Sequence, residues 1–147
     1  MTTSTLSTAG PFVNEPITDY RQPENVRGMR QAIEKVRAQL GREYDLVIGG
    51  KPVRTSDKIV SVNPANPSEV IGIHQKAGLE HVEPAMQAAL AAFQKWRYAS
   101  VEERTGVLFR TAETLRRRKF EFNAWLVLEV GKNYDEAEAD TDRKSVV

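Results

Sequence analysis

The spacing of the apolar residues changes twice along the chain, and these changes restrict the fold more than any other feature of the sequence. Apolar residues first recur every three or four positions, which is the repeat of one helix face. They are Val26, Met29, Ile33, Val36 and Leu40. From Leu46 to His74 the chain is rich in β-branched residues, and from Leu79 the helical repeat returns. The sequence therefore predicts an α/β chain in which antiparallel hairpins are followed by helices.

Two hairpins are expected in the β-rich part. Gly49 and Gly50 readily take the positive φ angles of a tight turn between short strands at residues 46–48 and 52–54. A second pair of strands, at residues 58–62 and 70–74, should run antiparallel. The loop between them is bounded by prolines, so we expect residues 63–67 to stay outside the ladder.

Helices are predicted on both sides of the hairpins. The first spans about residues 23–40, and the second spans residues 79–96, with Pro84 in its first turn. Ser100 and Glu103 have the spacing of a capping box, so a third helix should begin there. A fourth helix should occupy residues 120–130 with Gly131 as its C-cap, and Asn133 with Glu136 marks the start of another.

Composition excludes several kinds of site. The 21 Lys and Arg residues balance 20 Asp and Glu residues, so charge gives no reason to expect a nucleic acid or membrane partner. The sequence has no cysteine, which excludes disulfides, thiolate metal ligands and a cysteine nucleophile within it. The first ten residues contain no Arg or Lys, so they lack the basic region of a signal peptide, and we expect a cytoplasmic protein.

Each candidate site has a plainer structural interpretation. The basic run at residues 116–119 could contact RNA or DNA, but cations also complement the carbonyl end of a helix, and we favour a solvated helix end. His74 and His81 lack metal-ligand spacing. The cluster Glu136, Glu138 and Asp140 is interpreted as N-terminal helix charge rather than a carboxylate dyad.

The aromatic residues of the helical part are expected to pack in the core rather than to stack on bases. They are Phe93, Trp96, Phe120, Phe122 and Trp125. Gly49-Gly50 is a turn and not a phosphate loop, because no strand-to-helix junction with a following Lys-Ser or Lys-Thr accompanies it. We therefore assign no catalytic, cofactor-binding or metal residue within this sequence.

The order of these segments resembles the N-terminal part of the NAD(P)-dependent aldehyde dehydrogenases. The resemblance is carried by residues 14–16 (Asn-Glu-Pro), 44–50 (Tyr-Asp-Leu-Val-Ile-Gly-Gly), 61–67 (Ser-Val-Asn-Pro-Ala-Asn-Pro) and 129–132 (Glu-Val-Gly-Lys). The third and fourth segments are widespread in the superfamily. The leading arm and the first helix, which closes in Gln39-Leu40-Gly41, resemble the branch that oxidises L-glutamate 5-semialdehyde, the 1-pyrroline-5-carboxylate dehydrogenases of proline degradation.

This resemblance implies a covalent mechanism for the intact parent. In that mechanism a cysteine thiolate attacks the aldehyde, hydride passes to NAD or NADP, and a glutamate activates water to release L-glutamate. The resemblance also implies a homo-oligomer. Because this chain lacks both the cysteine and the glycine-bearing phosphate turn, we expect it to be inactive alone.

Three segments are expected. Residues 1–22 should form a flexible arm, residues 23–141 the N-terminal part of the aldehyde dehydrogenase domain, and residues 142–147 a non-native tail, because Asp-Arg-Lys-Ser-Val-Val departs from the family pattern and looks like a translated sequencing adapter. Two alternatives remain open. One is another aldehyde dehydrogenase, and the other is a free-standing helical module that binds a protein or RNA.

Overall fold

The computed structural model of the chain describes residues 15–145. It contains five helices and five strands in a mixed α/β order. They are α1 (Pro23–Arg37), β1 (Arg42–Tyr44), β2 (Leu46–Ile48), β3 (Lys51–Val53), β4 (Lys58–Asn63), β5 (Asn66–Gln75), α2 (Val82–Trp96), α3 (Val101–Arg117), α4 (Lys119–Val130) and α5 (Tyr134–Ser145). A single 3₁₀ turn, Leu79–His81, precedes α2. The expectations for residues 1–14 and 146–147 lie outside the described residues.

The first predicted hairpin is confirmed. Strands β2 and β3 pair antiparallel with Ile48 opposite Lys51, and the turn glycines have φ angles of 59° at Gly49 and 77° at Gly50. Positive φ at both central residues matches the twist of the flanking strands, which explains why two glycines occupy this turn.

The second predicted hairpin is also confirmed, but its loop is shorter than expected. Strands β4 and β5 pair antiparallel, with Val60 opposite Ile73. The prediction that residues 63–67 stay outside the ladder is wrong, because Asn63 pairs with Asn66 and β5 includes Pro67. The register slips between Val62 and Asn63. This change of register accommodates Pro67, whose missing N–H would interrupt a regular hydrogen-bonding ladder.

Strand β1 was not predicted from the sequence. It pairs in parallel with β5, with Glu43 opposite Ile73, so the larger sheet has the order β1-β5-β4 and is mixed rather than purely antiparallel. Three residues with an exposed pattern carry little periodic signal, and each pairs with a residue thirty positions further along the chain.

The helix boundaries follow the predicted capping residues, apart from the start of α2, where residues 79–81 form the 3₁₀ turn and not α-helix, and the end of α1. That helix ends at Arg37, three residues earlier than expected, and Gly41 has φ 74° and donates its N–H to the carbonyl of Ile71. Ser100 and Glu103 form the predicted capping box of α3. Gly131 closes α4 in the left-handed region.

The core lies between α1, α4 and β5. Its buried apolar residues are Met29, Ala32, Val36, Ile71, Ala124 and Leu128. By contrast, none of the residues of α2, all of which the structure describes, is buried. Within residues 15–145, no helix has the length and hydropathy needed to cross a membrane.

Candidate functional site

A buried carboxylate on α5 is the most distinctive chemical group of the described chain. Glu138 is 2% exposed. Asn133 and Glu136 cap the start of α5 by exchanging hydrogen bonds between side chain and backbone. This cap fixes the helix so that Tyr134 packs against the core and Glu138 points toward α4 and the segment before α1.

Four other residues surround the Glu138 carboxylate and, with it, form what we term the Glu138 cluster. Thr18 donates to Oε1 through its hydroxyl (2.7 Å) and its backbone N–H (3.2 Å). The Nδ2 group of Asn123 donates to Oε2 at 2.7 Å, and the Tyr20 hydroxyl donates to the same oxygen at 3.3 Å. Lys119 completes the cluster as an ion pair with Oε1. The cluster thus joins residues 18–20 to both α4 and α5.

The environment keeps Glu138 ionised. Burial acts to raise the pKa of this carboxyl, but hydrogen bonds from Lys119, Thr18 and Asn123 outweigh burial and hold the pKa below its ordinary value of 4.5. Burial, together with the negative charge of Glu138, raises the pKa of Tyr20 to about 12. At neutral pH the cluster therefore holds one carboxylate, one ammonium group and a neutral phenol.

This arrangement binds the segment before α1 rather than a substrate. The cavity beside the cluster, lined in part by Lys119 and Thr141, has a volume of about 10 Å³. That volume is about the size of one water molecule. The Oδ1 atom of buried Asn123 and the Oγ1 atom of Thr141 have no hydrogen-bond partner among the described residues. Within this chain, the Glu138 carboxylate holds residues 18–20 against α4 and α5.

Sequence reasoning missed this role of Glu138. The interpretation of Glu136, Glu138 and Asp140 as helix-terminal charge holds for Glu136, which caps α5, and is wrong for Glu138, which is buried. Asp140 forms an ion pair with Lys132. The helical repeat of Tyr134, Glu138 and Thr141 was the available signal, because it places the carboxylate on the same face as an aromatic residue.

Three of the four cations of the basic run at the junction of α3 and α4 form ion pairs within the chain. Arg116 pairs with Glu15, Arg118 pairs with Glu121, and Lys119 pairs with buried Glu138. The expectation of a solvated helix end is therefore wrong for Lys119, whose side chain is 23% exposed. Its ammonium group is drawn inward because Glu138 requires a counter-charge.

Both histidines have structural contacts. The His74 ring stacks on Tyr44 across neighbouring strands, with ring centroids 5.2 Å apart, and His81 Nδ1 accepts a hydrogen bond from the Gly78 N–H. Within residues 15–145 there is no group of three His, Asp or Glu side chains placed to hold a metal ion.

The expectation that the aromatic residues pack in the core is only partly correct. Phe120 and Trp125 pack against the core, and the Arg118 guanidinium lies over the Phe122 ring. Phe93 and Trp96 are each about half exposed, so the expectation is wrong for these two residues.

The described residues do not fit the phosphates of a dinucleotide. Such a site needs a glycine-bearing turn from a strand into a helix, with backbone N–H groups free for the phosphates. The junction from β5 toward α2 contains Gly78, but a Cβ placed on Gly78 would meet the Glu80 carboxylate at 2.3 Å. A carboxylate at this position would repel a phosphate. The residues with positive φ lie instead in the β2–β3 hairpin, after α1 and between α4 and α5.

Comparison with known proteins gives a consistent result. The aldehyde dehydrogenase family pattern matches residues 53–146. The chain is 51% identical over 131 residues to the 1-pyrroline-5-carboxylate dehydrogenase of Bacillus pumilus (strain SAFR-032), and 53% identical over 131 residues to that of Geobacillus thermodenitrificans (strain NG80-2). Each match covers 89% of this chain and 25% of the relative. The chain therefore spans about a quarter of the length of the curated relatives it matches.

Solved structures show the same similarity in three dimensions. The chain superposes on 1-pyrroline-5-carboxylate dehydrogenase from Thermus with bound NAD with a TM-score of 0.87 and 47% identity, covering 92% of this chain and 26% of that one. It also superposes on proline utilization A from Bdellovibrio bacteriovorus with a TM-score of 0.86 and 32% identity, covering 89% of this chain and 14% of that one. The fold, the family pattern and these relatives agree, and the chain belongs to the aldehyde dehydrogenase family.

Proposed function

We propose that the complete protein to which this chain corresponds oxidises L-glutamate 5-semialdehyde, the open form of 1-pyrroline-5-carboxylate, to L-glutamate with NAD in proline degradation. The identity to 1-pyrroline-5-carboxylate dehydrogenases carries this proposal. The match to the Bacillus pumilus relative covers 131 residues, whereas the family pattern begins only at residue 53. The similarity to this branch therefore extends into the arm and α1, before the region shared by the whole family.

This chain contributes structure rather than chemistry to the proposed reaction. The nucleophile implied by the family is a cysteine, and the sequence contains none. The described residues also do not fit the cofactor phosphates. The Thermus relative is described with bound NAD, which supports NAD as the cofactor of the complete protein. We propose that the 147-residue chain alone is inactive and that the complete protein is a homo-oligomer.

Enzyme assays of the complete protein and of the 147-residue chain test this function. The complete protein should form NADH with L-glutamate 5-semialdehyde, with kcat/KM at least about tenfold above that for a semialdehyde without the amino group. The isolated chain should form no NADH above a buffer control. A preference for another aldehyde would support the alternative of a different aldehyde dehydrogenase, and turnover by the isolated chain would contradict its proposed inactivity.

The alternative of an RNA-binding module loses its main support. The basic residues Arg116, Arg118 and Lys119 are paired with carboxylates of the same chain. A phosphate backbone would have to replace those carboxylates, which favours the enzyme over the module.

A further inference from the structure

His81 lies where the 3₁₀ turn meets α2, and its ring closes that turn. The His81 backbone N–H donates to the Gly78 carbonyl, and the Gly78 N–H donates to Nδ1 of the His81 ring, each at 3.1 Å. His81 is also the N-cap residue of α2, but its side chain bonds to this turn instead of to the first N–H groups of the helix. The closed turn therefore depends on a ring nitrogen that can accept only while it carries no proton.

The same nitrogen has a second partner that requires the opposite protonation state. Nδ1 of His81 lies 3.2 Å from Oε1 of Glu80. An ionised carboxylate only accepts hydrogen bonds, so it bonds to Nδ1 only when that nitrogen carries a proton. The Gly78 N–H needs the lone pair that this proton would occupy. The two contacts of Nδ1 therefore exclude each other.

The His81 ring also forms part of the wall between two clefts. Its side chain is 17% exposed, whereas that of Glu80 is 73% exposed. Gly78 and His81 line an apolar groove of about 430 Å³ between β2 and the start of α2, and they also line a polar cleft of about 390 Å³ beside residues 54–57. A rearrangement of the turn at residues 78–81 would change both clefts at once.

The other charged groups near the ring do not replace Glu80 as its partner. On the elements that line the polar cleft they are Arg54, Asp57 and Lys76. Arg54 is paired with Asp45 at 2.9 Å, and Glu83 of α2 accepts a hydrogen bond from Gln87 at 2.8 Å. Strand β2 contributes only apolar residues to the groove. The carboxylate in contact with Nδ1 is therefore that of Glu80.

We propose that His81 is a proton-operated switch at the start of α2. Without a proton, Nδ1 accepts from Gly78 and the turn is closed. When Nδ1 takes up a proton from water, it faces the Gly78 N–H as a second donor, so the ring turns toward the Glu80 carboxylate and the turn opens. Histidine is the side chain whose charge ordinarily changes between about pH 5 and 8, so moderate acidification operates the switch. This inference does not rest on the proposed function.

The ring states can be observed directly, because the sequence contains only two histidines. Nitrogen-15 NMR spectra of the imidazole rings in the 147-residue chain distinguish the two neutral tautomers from the protonated ring. At about pH 8, His81 should carry its proton on Nε2 and leave Nδ1 unprotonated. The opposite tautomer at that pH would overturn the proposal, because the Glu80 carboxylate would then already hold the ring.

Amide hydrogen exchange measures the opening of the turn. Between about pH 8 and about pH 5.5, the Gly78 amide should lose protection about tenfold or more relative to the amides of α4, after correction for the intrinsic exchange rate. His81→Gln should abolish this pH dependence, and His74→Gln, the matched control, should retain it. Equal profiles in the unmodified chain and in His81→Gln would overturn the proposal. So would loss of Gly78 protection only together with α4, since that is unfolding of the core and not a local switch.

A second pair of variants tests the role assigned to the carboxylate. Glu80→Gln removes the partner of the protonated ring, so the midpoint of the Gly78 change should move to lower pH by a few tenths of a unit. Glu83→Gln, which removes a carboxylate from the first turn of α2, is the matched control and should move the midpoint less. An unchanged or higher midpoint in Glu80→Gln would contradict the proposal. These measurements do not involve NADH formation, so the switch can fail while the enzymatic function stands.

Discussion

The ammonium group of Lys119 and the carboxylate of Glu138 form an ion pair that joins the first residue of α4 to α5 beneath residues 18–20. The Glu138 side chain is 3% exposed and that of Lys119 is 23% exposed. The two charges are taken out of water together, and the hydrogen bonds from Thr18 and Asn123 satisfy the remaining carboxylate lone pairs. Removing one partner should therefore lower the free energy of unfolding more than removing a surface charge does.

Replacing Glu138 with glutamine should lower the free energy of unfolding by roughly 1–3 kcal/mol. The substitution leaves the Lys119 charge without its counter-charge, although Lys119 can turn partly toward water, which limits the cost. Urea unfolding followed by circular dichroism at neutral pH measures the effect. Glu113→Gln, at an exposed position of α3, is the matched control and should change the free energy by less than about 0.5 kcal/mol. Equal effects of the two substitutions would contradict the buried ion pair.

Acid should destabilise the chain as the pH falls below about 4.5. The folded-state pKa of Glu138 lies below its ordinary value of 4.5, so the unfolded state takes up the proton first. The stabilisation is complete above that pH and is lost as the pH falls through the folded-state pKa. Hydrogen bonds from Lys58 to Glu43 and from Arg118 to Glu121 lower the pKa of those carboxyls in the same direction. In Glu138→Gln the dependence of the urea midpoint on pH should be shallower, and an unchanged slope would argue against ionised Glu138.

Tyr20 should ionise only at strongly alkaline pH. Its pKa is raised from 10.0 to about 12, mainly by burial, so the folded state favours the neutral phenol. That contribution to stability is present below pH 10 and is lost as the pH rises toward 12. Ultraviolet absorbance of tyrosinate measures the titration. Tyr20→Phe should remove a component that titrates near pH 12, and removal of a component near pH 10 instead would contradict the buried position.

The parts of the fold that depend only on residues adjacent in sequence were predictable. The Gly49-Gly50 turn, the Ser100 cap and the Gly131 C-cap each reflect a local backbone requirement that one or two residue types meet. Strand β1 was not predictable, because Arg42–Tyr44 gains its partner only when β5 is already in place. The same reason accounts for Pro67, whose place in β5 depends on a change of register.

The Glu138 cluster could not be derived from the sequence for a related reason. Its members come from residues 18–20, α4 and α5, and the two ends are 120 positions apart. A carboxylate near the start of a helix is usually explained by the helix dipole, and that explanation is correct for Glu136. Only the packing of α4 against α5 shows that Glu138 faces inward.

Alanine at two glycine positions should have opposite effects. Gly131 has φ 74°, and a Cβ there would lie 2.9 Å from Pro64 Cγ, so Gly131→Ala should cost about 1–2 kcal/mol or more. Gly106 lies inside α3, and a Cβ there would meet only the flexible end of Arg110 at 3.3 Å. Gly106→Ala should therefore stabilise the chain by roughly 0.5–1 kcal/mol. Urea midpoints of the two variants measure the difference, and a stabilising Gly131→Ala would refute the left-handed C-cap.

The 147-residue chain alone should be only marginally stable, because much of its apolar surface is not buried. Met86, Phe93 and Trp96 of α2 are each about half exposed, and Val107, Leu108 and Phe109 of α3 are between 42% and 52% exposed. At about 25 cal/mol per Å², leaving a few hundred Å² of apolar surface in water forfeits several kcal/mol. That loss is comparable to the roughly 5–15 kcal/mol that separates folded from unfolded domains.

Calorimetry and dye binding measure this marginal stability. The isolated chain should give a broad or concentration-dependent thermal transition and should bind a dye that reports exposed apolar surface. The control is a chimera in which this chain replaces the 131 matched residues of the Bacillus pumilus relative, and it should melt cooperatively with little dye binding. A sharp, reversible melt of the isolated chain as a monomer would show that α1, α4 and the larger sheet suffice as an independent domain, and it would favour a free-standing module over part of an enzyme.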